Sequence, residues 1–257
     1  MKRIAFFLYG TFCYLFFLGI FLYAVGFLGS FGVPNTIDGQ PQVSLWQALA
    51  INMLLLGLFA VQHSVMARQG FKRWWTQYIP KPIERSTYVL CTNIALALLF
   101  YAWQPMGGEI WHVQGPIGQG MLYGLFALGW GLVFMATVMI NHFDLFGMRQ
   151  VWLYLRKHAY TPLPFKTPAL YRHVRHPLYV GWLLVFWATP TMTSAHLVFA
   201  LTTTIYILMA IQWEEKDLVA IHGQAYADYQ QRVPMLIPHV LKGNALGKSH
   251  PATTLSR

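Results

Sequence analysis

The sequence predicts an all-α integral membrane protein, a polytopic bundle of four long transmembrane helices and a C-terminal helical hairpin, folded as one domain over residues 1–257. Hydrophobic residues make up 56% of the chain and charged residues only 10%, whereas an ordinary soluble domain carries roughly 25% charged residues. So few charges cannot provide the polar shell of a water-soluble globule of this length. Several long apolar runs, and basic residues confined to the segments between alternate runs, support the same class.

Apolar runs define the predicted spans in chain order. The first covers residues 4–28 and follows Lys2 and Arg3. It is longer than a signal-peptide core, so we expect it to remain as a signal anchor. The next three spans, bounded by Pro, Gly or charge clusters, cover residues 45–66, 88–103 and 118–140. Residues 178–189 and 195–213, separated by Pro190, then form a hairpin whose first arm is too short to cross a membrane alone. Residues 244–257 are predicted to be a disordered tail.

The basic residues indicate how the bundle is oriented. All 18 Lys and Arg fall at the chain start, between spans two and three, after span four or after the hairpin. The other connections, residues 29–44, 104–117 and 191–194, contain none and carry Asp38 and Glu109. By the positive-inside rule both termini are cytoplasmic, and a catalytic face would look into the cytosol. The net charge of +10 therefore marks cytoplasmic loops and does not indicate a nucleic-acid partner.

Three polar clusters and one histidine on this side are the candidates for chemistry. The cluster after span four contains His142, Asp144 and Arg149, and its simplest interpretation is a helix end with a snorkelling arginine. The cluster before the hairpin contains Arg175, His176 and Tyr179. Because Pro177 suits a first helical turn, Arg175 and His176 are expected at a helix entrance that favours an anion. The arginines would otherwise be a positive-inside anchor.

The third cluster pairs two adjacent carboxylates, Glu214 and Glu215, with Tyr226 and Tyr229 behind them. Adjacent carboxylates at the lipid boundary are costly unless paired, so an ion pair with Arg172 or Arg175 is the alternative to ligand binding. In span two, His63 stands in the run Gln62-His63-Ser64 and would otherwise hydrogen-bond a neighbouring helix. His173 and His176 form only an HxxH pair, too few ligands for a membrane di-iron centre, so no metal site is expected.

Two of these clusters carry a family resemblance. Residues 175–181, Arg-His-Pro-Leu-Tyr-Val-Gly, and residues 214–218, Glu-Glu-Lys-Asp-Leu, followed by Gly223, Tyr226, Tyr229 and Ile237-Pro238, resemble the RHPxYxG and EExxL signatures of isoprenylcysteine carboxyl methyltransferases and phospholipid methyltransferases. The whole chain, including residues 62–68, 141–154 and 160–165, resembles the membrane-bound bacterial methanethiol S-methyltransferases, and the NnrU-like proteins share the span-two motif.

The resemblance implies a multi-pass enzyme of the bacterial inner membrane that transfers a methyl group from S-adenosylmethionine to methanethiol and forms dimethyl sulfide. It implies no metal. Membrane lipid is the expected surrounding partner, and no obligatory protein partner is evident. S-adenosylmethionine needs a cation or helix N-terminus for its carboxylate, an acid for its amine or ribose, and aromatic faces. The residues that offer these groups, and are predicted to bind the donor, are Arg175, His176, Tyr179, Glu214, Glu215 and Tyr226.

The acceptor side requires a base, because a simple alkanethiol is mostly protonated at neutral pH and the thiolate is the better nucleophile. His142 with Asp144 is the first choice for the base or for the groups that orient it, with Arg149 as an electrostatic stabiliser of the thiolate. His63 is the second choice. Two other functions stay open: a methyltransferase for another thiol or a lipid acceptor, and a non-enzymatic NnrU-like haem or assembly protein.

Overall fold

The computed structural model of the chain describes residues 1–238, and residues 244–257, predicted to be a disordered tail, lie outside that range. The helices, in chain order, are α1 (Lys2–Gly29), α2 (Leu45–Ala67), α3 (Gln69–Trp75), α4 (Lys81–Ala102), α5 (Pro116–Ile140), α6 (His142–Leu145), α7 (Met148–Leu155), α8 (Pro177–Trp187), α9 (Ser194–His222) and α10 (Gln224–Arg232). A 3-10 turn covers Ala169–Arg172, and two short strands are β1 (Glu109–His112) and β2 (Thr191–Thr193).

The helical membrane architecture predicted from composition is confirmed. Among residues 1–238, five helices are long and apolar enough to cross a membrane: α1, α2, α4, α5 and α9. The protein is therefore a multi-pass membrane protein. The predicted bounds of the first, second and fourth spans agree with α1, α2 and α5 to within two residues.

Two helices extend beyond the predicted spans. Helix α4 begins at Lys81, seven residues before the predicted start at Tyr88, and α9 continues from Trp213 to His222. In both, the additional turns carry charged residues, Glu84 and Arg85 in α4 and Glu214 to Asp217 in α9. Hydropathy marks where a helix leaves hydrocarbon, whereas backbone hydrogen bonds let the same helix continue into the polar layer.

The predicted hairpin is present, but its arms differ in kind. Helix α9 is long enough to cross by itself, whereas the 11 residues of α8 reach only about 16 Å at 1.5 Å per residue. Helix α8 is instead held against α5. A Cβ built on Gly181 would lie 2.8 Å from the Gly129 carbonyl oxygen and 2.8 Å from the Val133 nitrogen, so the two backbones approach closely. Gly181, the last residue of the 175–181 motif, therefore allows α8 to pack closely against α5.

A two-stranded antiparallel sheet, not predicted from the sequence, lies at the end of the bundle opposite the basic residues. Strands β1 and β2 pair Trp111 with Met192 and His112 with Thr191. Beside them, the Trp103 indole donates to the Ile37 carbonyl oxygen at 3.1 Å. Main-chain pairing satisfies backbone groups that a short re-entrant turn would leave exposed.

The largest apolar cluster lies towards that same end. Its aromatic members pack edge to face or tilted, with ring centroids 4.7 Å apart for Phe27 and Phe100 and 5.2 Å apart for Phe186 and Phe199. The end at which α1 and α4 begin and α2, α5 and α9 end carries the basic residues, and we call it the basic end. The polar clusters considered below lie at this end.

Candidate active site

Glu215 is the centre of a buried ion-pair network at the basic end. Its carboxylate accepts hydrogen bonds from the Nε of Arg175 at 2.6 Å, from the Nε2 of His176 at 2.9 Å and from the side-chain amide of Gln230 at 2.9 Å. The side chains of Arg175 and Glu215 are only 12% and 10% exposed. The ion pair expected as an alternative to ligand binding is thus formed, and it involves Arg175, since Arg172 bonds the Thr167 carbonyl oxygen.

The same network fixes the chain that follows α10. The Nη1 of Arg175 donates to the carbonyl oxygens of Gln230 and Val233 at 2.8 and 2.6 Å. The backbone N–H groups of Arg175 and His176 donate to the carbonyl oxygens of Pro234 and Met235. Pro177 begins α8, as predicted. The helix entrance is therefore occupied by the protein's own chain, and we call this arrangement the Glu215 brace.

Glu214, the neighbouring residue, is in a different situation. Its carboxylate accepts one hydrogen bond, from the hydroxyl of Tyr179 at 2.9 Å, and it is half-buried. Within residues 1–238 no Lys, Arg or His pairs with it. A carboxylate has about four acceptor positions, so Glu214 retains acceptor capacity that Glu215 has used.

Tyr226 is packed inside an aromatic group behind the brace. It is 2% exposed, and its ring lies 5.6 Å from that of Phe165 and 5.6 Å from that of Tyr229. The Tyr229 hydroxyl donates to the Tyr171 carbonyl oxygen, and burial raises the pKa of Tyr229 to about 12. These rings fix residues 165 and 226–229 against each other behind the Glu215 brace.

A second polar cluster, on α2, α4 and α9, contains His63. The Tyr88 hydroxyl lies 3.0 and 3.1 Å from the two ring nitrogens of His63, and Thr92 Oγ1 lies 3.3 Å from its Nδ1. The Phe59 ring stacks on the imidazole at 5.3 Å. The hydroxyl of Ser64, next in sequence, lies 2.9 Å from that of Tyr206.

This His63 cluster adjoins the Glu214 cluster. Both clusters include α9, on which Tyr206 and Glu214 lie eight residues apart; Tyr206 contacts Ser64 and Glu214 accepts from Tyr179. Arg68, the residue directly after α2, pairs with Asp217 on α9 at 3.0 Å and ties the end of α2 to α9. Sequence reasoning missed Tyr88 and Tyr206. Each is a tyrosine inside an apolar span. Tyr88 precedes Thr92 by four residues and Tyr206 precedes Glu214 by eight, and these spacings could have indicated both.

His142 lies on another face of the bundle. Its ring nitrogens contact the Tyr14 hydroxyl and Thr137 Oγ1, each at 2.9 Å, and its ring packs against Phe146 at 4.8 Å. Burial lowers the pKa of His142 below its ordinary value. Thr137 faces His142, whereas the preceding Ala136 accepts from the Tyr171 hydroxyl at 3.4 Å.

Asp144 does not orient His142, as the sequence had suggested, but pairs with Arg149 at 2.8 Å. Gln150 donates to the backbone carbonyl oxygen of Asp144 at 3.2 Å, and the Arg149 guanidinium lies 5.1 Å from the centre of the Tyr160 ring. A cavity of about 460 Å³ borders Arg149 and Phe143. Because Asp144 and Arg149 neutralise each other, this cluster fastens α6 and α7 together.

Comparison with known proteins identifies the family. The chain is 61% identical to a methanethiol S-methyltransferase of Crocosphaera subtropica over 235 residues, which cover 91% of this chain and 92% of that protein. It is 52% identical to a methanethiol S-methyltransferase of Mycobacterium tuberculosis over 238 residues, 93% and 98% of the two chains. The chain belongs to the methanethiol S-methyltransferase family. No protein-family model and no solved structure matches it.

Membership of the methanethiol S-methyltransferase family makes the protein a methyltransferase, an enzyme that acts on a methyl donor and a thiol. A more distant relative is Nurim of Mus musculus, 32% identical over 193 residues, which cover 70% of this chain and 72% of that protein. Among residues 1–238 no group of three or more His, Cys, Asp or Glu could hold a metal ion. The Glu214 cluster and the His63 cluster are the candidate binding sites for the methyl donor and the thiol.

Proposed function

We propose that the protein transfers the methyl group of S-adenosylmethionine to methanethiol and releases dimethyl sulfide. One observation carries the proposal: the Glu214–Tyr179 cluster and the His63 cluster adjoin each other at the basic end of an otherwise apolar bundle. One cluster offers a carboxylate that pairs with no cation among residues 1–238, and the other offers an imidazole with hydroxyls. These are the groups that a donor with hydroxyls and an amine, and a thiol that must lose its proton, require.

S-adenosylmethionine fits the groups around Glu214. The Glu214 carboxylate can accept from ribose hydroxyls or from the amine, since only Tyr179 uses it within residues 1–238. Arg175, His176 and Glu215 act differently, because they satisfy one another. They hold the N-terminus of α8 and the segment after α10 in place around the donor. When bound, S-adenosylmethionine supplies an electrophilic methyl group on a sulfonium.

For the acceptor we propose His63 as the base, in preference to His142. His63 precedes Ser64, which contacts Tyr206 on α9, the helix that also carries Glu214, whereas His142 contacts Tyr14 on α1 and Thr137 on α5. A thiolate and a sulfonium lose their charges as they react, so a desolvated site favours the step. Placing the sulfur in line with the methyl group supplies much of the remaining acceleration.

A lipid acceptor is the second candidate, because the bundle has an apolar groove on its surface. The groove has a volume of about 840 Å³ and runs along α8, between α5, α9 and residues 234–237. Its wall is formed by apolar residues, among them Leu122, Leu184, Trp187, Leu208 and Met235. A volume of this order suits a ligand much larger than methanethiol.

The proposed location is the bacterial inner membrane, with the basic end in the cytosol. The donor is a cytosolic molecule, and the clusters proposed to bind it lie at the end where basic residues concentrate. No obligatory protein partner is proposed. The thiol, being small and apolar, can reach the site through the lipid.

The decisive experiment incubates purified protein with S-adenosylmethionine and methanethiol and measures dimethyl sulfide in the headspace. We expect product with methanethiol and no methylated product with phospholipid vesicles as acceptor, whereas the reverse result would establish the lipid acceptor. His63→Gln and His142→Gln are compared in the same assay. We expect the first to abolish most turnover at neutral pH while retaining affinity for S-adenosylhomocysteine, and a loss confined to His142→Gln would reassign the base.

A further inference from the structure

The hydroxyls of Ser64 and Tyr206 form an isolated pair across the interface of α2 and α9. Their oxygens are 2.9 Å apart, and either group can be the donor. Two hydroxyls carry two hydrogens, and the bond between them uses only one. Within residues 1–238 neither hydroxyl oxygen has a second partner. One O–H group of the pair is therefore free to donate to something else.

The pair lies between the two halves of the proposed site. The Phe59 ring packs against both the His63 imidazole and the Tyr206 ring, so the pair adjoins the proposed base. On the other side, Tyr206 lies on α9 about two turns before Glu214, and Glu214 accepts from the Tyr179 hydroxyl. A free hydroxyl placed between a base and a donor site is where the sulfur of a thiol would have to lie.

The Phe59 ring lies on one side of the hydroxyl pair, and the Arg68–Asp217 ion pair lies on the other. The Phe59 ring lies 6.2 Å from that of Tyr206 and also stacks on His63. Arg68 is the nearby cation, and it is already paired with Asp217. The titratable and charged groups around the pair are His63 with Tyr88, Arg68, which donates to the Ser64 carbonyl oxygen at 3.3 Å, and Asp217, which pairs with Arg68. Tyr179 and Glu214 follow towards α8.

We propose that the Ser64–Tyr206 hydroxyl pair binds the acceptor sulfur. Its free O–H group donates a hydrogen bond to the thiolate as the thiolate forms. The proposal rests on the proposed thiol methylation. The S–H bond of the thiol breaks and its proton passes to the imidazole of His63. A lone pair of the sulfur forms the new S–CH₃ bond while the sulfonium–methyl bond breaks, S-adenosylhomocysteine leaves, and His63 returns the proton to solvent. The hydroxyl keeps its own proton and stabilises the thiolate relative to the thiol, so the bound thiol ionises more readily.

Tyr206→Phe tests this directly, since it removes one hydroxyl and keeps the ring. A hydrogen bond to a charged group is strong enough that its loss should lower kcat/KM for methanethiol by roughly 10- to 100-fold at neutral pH. The rising limb of the pH–rate profile should move up by about one to two pH units, because the bound thiol then ionises less readily. Affinity for S-adenosylhomocysteine should stay unchanged. The control is Tyr123→Phe, whose ring is 52% exposed on α5.

Ser64 provides the second test and separates binding from helix packing. Ser64→Ala should reproduce the pH shift in weaker form, and Ser64→Thr, which keeps a hydroxyl, should restore the wild-type profile. If Tyr206→Phe does not fold, this series decides. Unchanged pH profiles in Tyr206→Phe and Ser64→Ala, with wild-type formation of dimethyl sulfide, would overturn the hydroxyl-pair proposal alone. Absence of dimethyl sulfide with the wild-type protein would instead reject the proposed function and, with it, this proposal.

Discussion

The Nε of Arg175 lies 2.6 Å from the carboxylate of Glu215, and both side chains are almost completely buried. Removing one partner of such a pair leaves an uncompensated charge, which costs about 3–5 kcal/mol in proteins. We therefore expect Arg175→Ala to lower the thermal unfolding temperature in detergent substantially. The double variant Arg175→Met, Glu215→Leu should be more stable than Arg175→Ala, measured in the same way. A wild-type unfolding temperature for Arg175→Ala would contradict the structural role of the brace.

Glu214→Gln should have the opposite signature. The amide keeps the size of the side chain and can still accept from Tyr179, so we expect little change in unfolding temperature. Affinity for S-adenosylhomocysteine should fall by about 10-fold or more, because hydrogen bonds to a charged group are the strong ones. Calorimetric titration measures this, with Glu109→Gln, exposed at the opposite end, as the control. Equal affinity in the two variants would remove Glu214 from the donor site.

Gly181→Ala should destabilise the protein through the contact between α8 and α5. The added methyl group would lie 2.8 Å from the Gly129 carbonyl oxygen, and overpacking of this kind costs about 1–3 kcal/mol. Gly131→Ala, where a Cβ would meet nothing within 4 Å, is the matched control and should be neutral or slightly stabilising. Thermal unfolding of the two variants decides, and equal values would mean that the close approach carries no energetic cost.

Asp38 should stabilise the end opposite the site in a pH-dependent way. Burial alone would raise the pKa of its carboxyl, but the His196 imidazole 3.5 Å away and hydrogen bonds from Thr193 and Ser30 outweigh burial and hold the pKa below its ordinary value of 3.8. A lowered pKa gives stability that is complete above that ordinary value and disappears as pH falls through the lowered one. Asp38→Asn should thus lower the unfolding temperature at pH 7, with a difference that shrinks below about pH 4. The exposed Asp228→Asn should show no such trend.

Orientation is tested by accessibility of single cysteines in a background with Cys13 and Cys91 replaced. Cysteines at Gln40 and Gln114 should react with an impermeant maleimide in intact cells, after permeabilisation of an outer membrane if there is one. A cysteine at Lys166 should react only after lysis, because basic segments stay in the cytosol. Labelling of the Lys166 position alone in intact cells would reverse the orientation.

The sequence by itself determined the class of protein and the order of its spans. Hydrocarbon thickness fixes the length of an apolar helix, and composition therefore marks each span without knowledge of its neighbours. Local rules also placed the start of α8 at Pro177, since proline favours a first helical turn. Helix ends were less certain, because α4 and α9 continue as helices into charged sequence.

Only the tertiary structure decided how chemically equal residues differ. Glu214 and Glu215 are adjacent and identical, but successive helical residues point about 100° apart, so one meets Arg175 and His176 while the other meets Tyr179. Likewise Ser64 meets Tyr206, 142 positions away. Such contacts depend on which helix faces which, and that is set by packing between distant segments, such as the close approach of Gly129 to Gly181, which the local pattern of the chain does not encode.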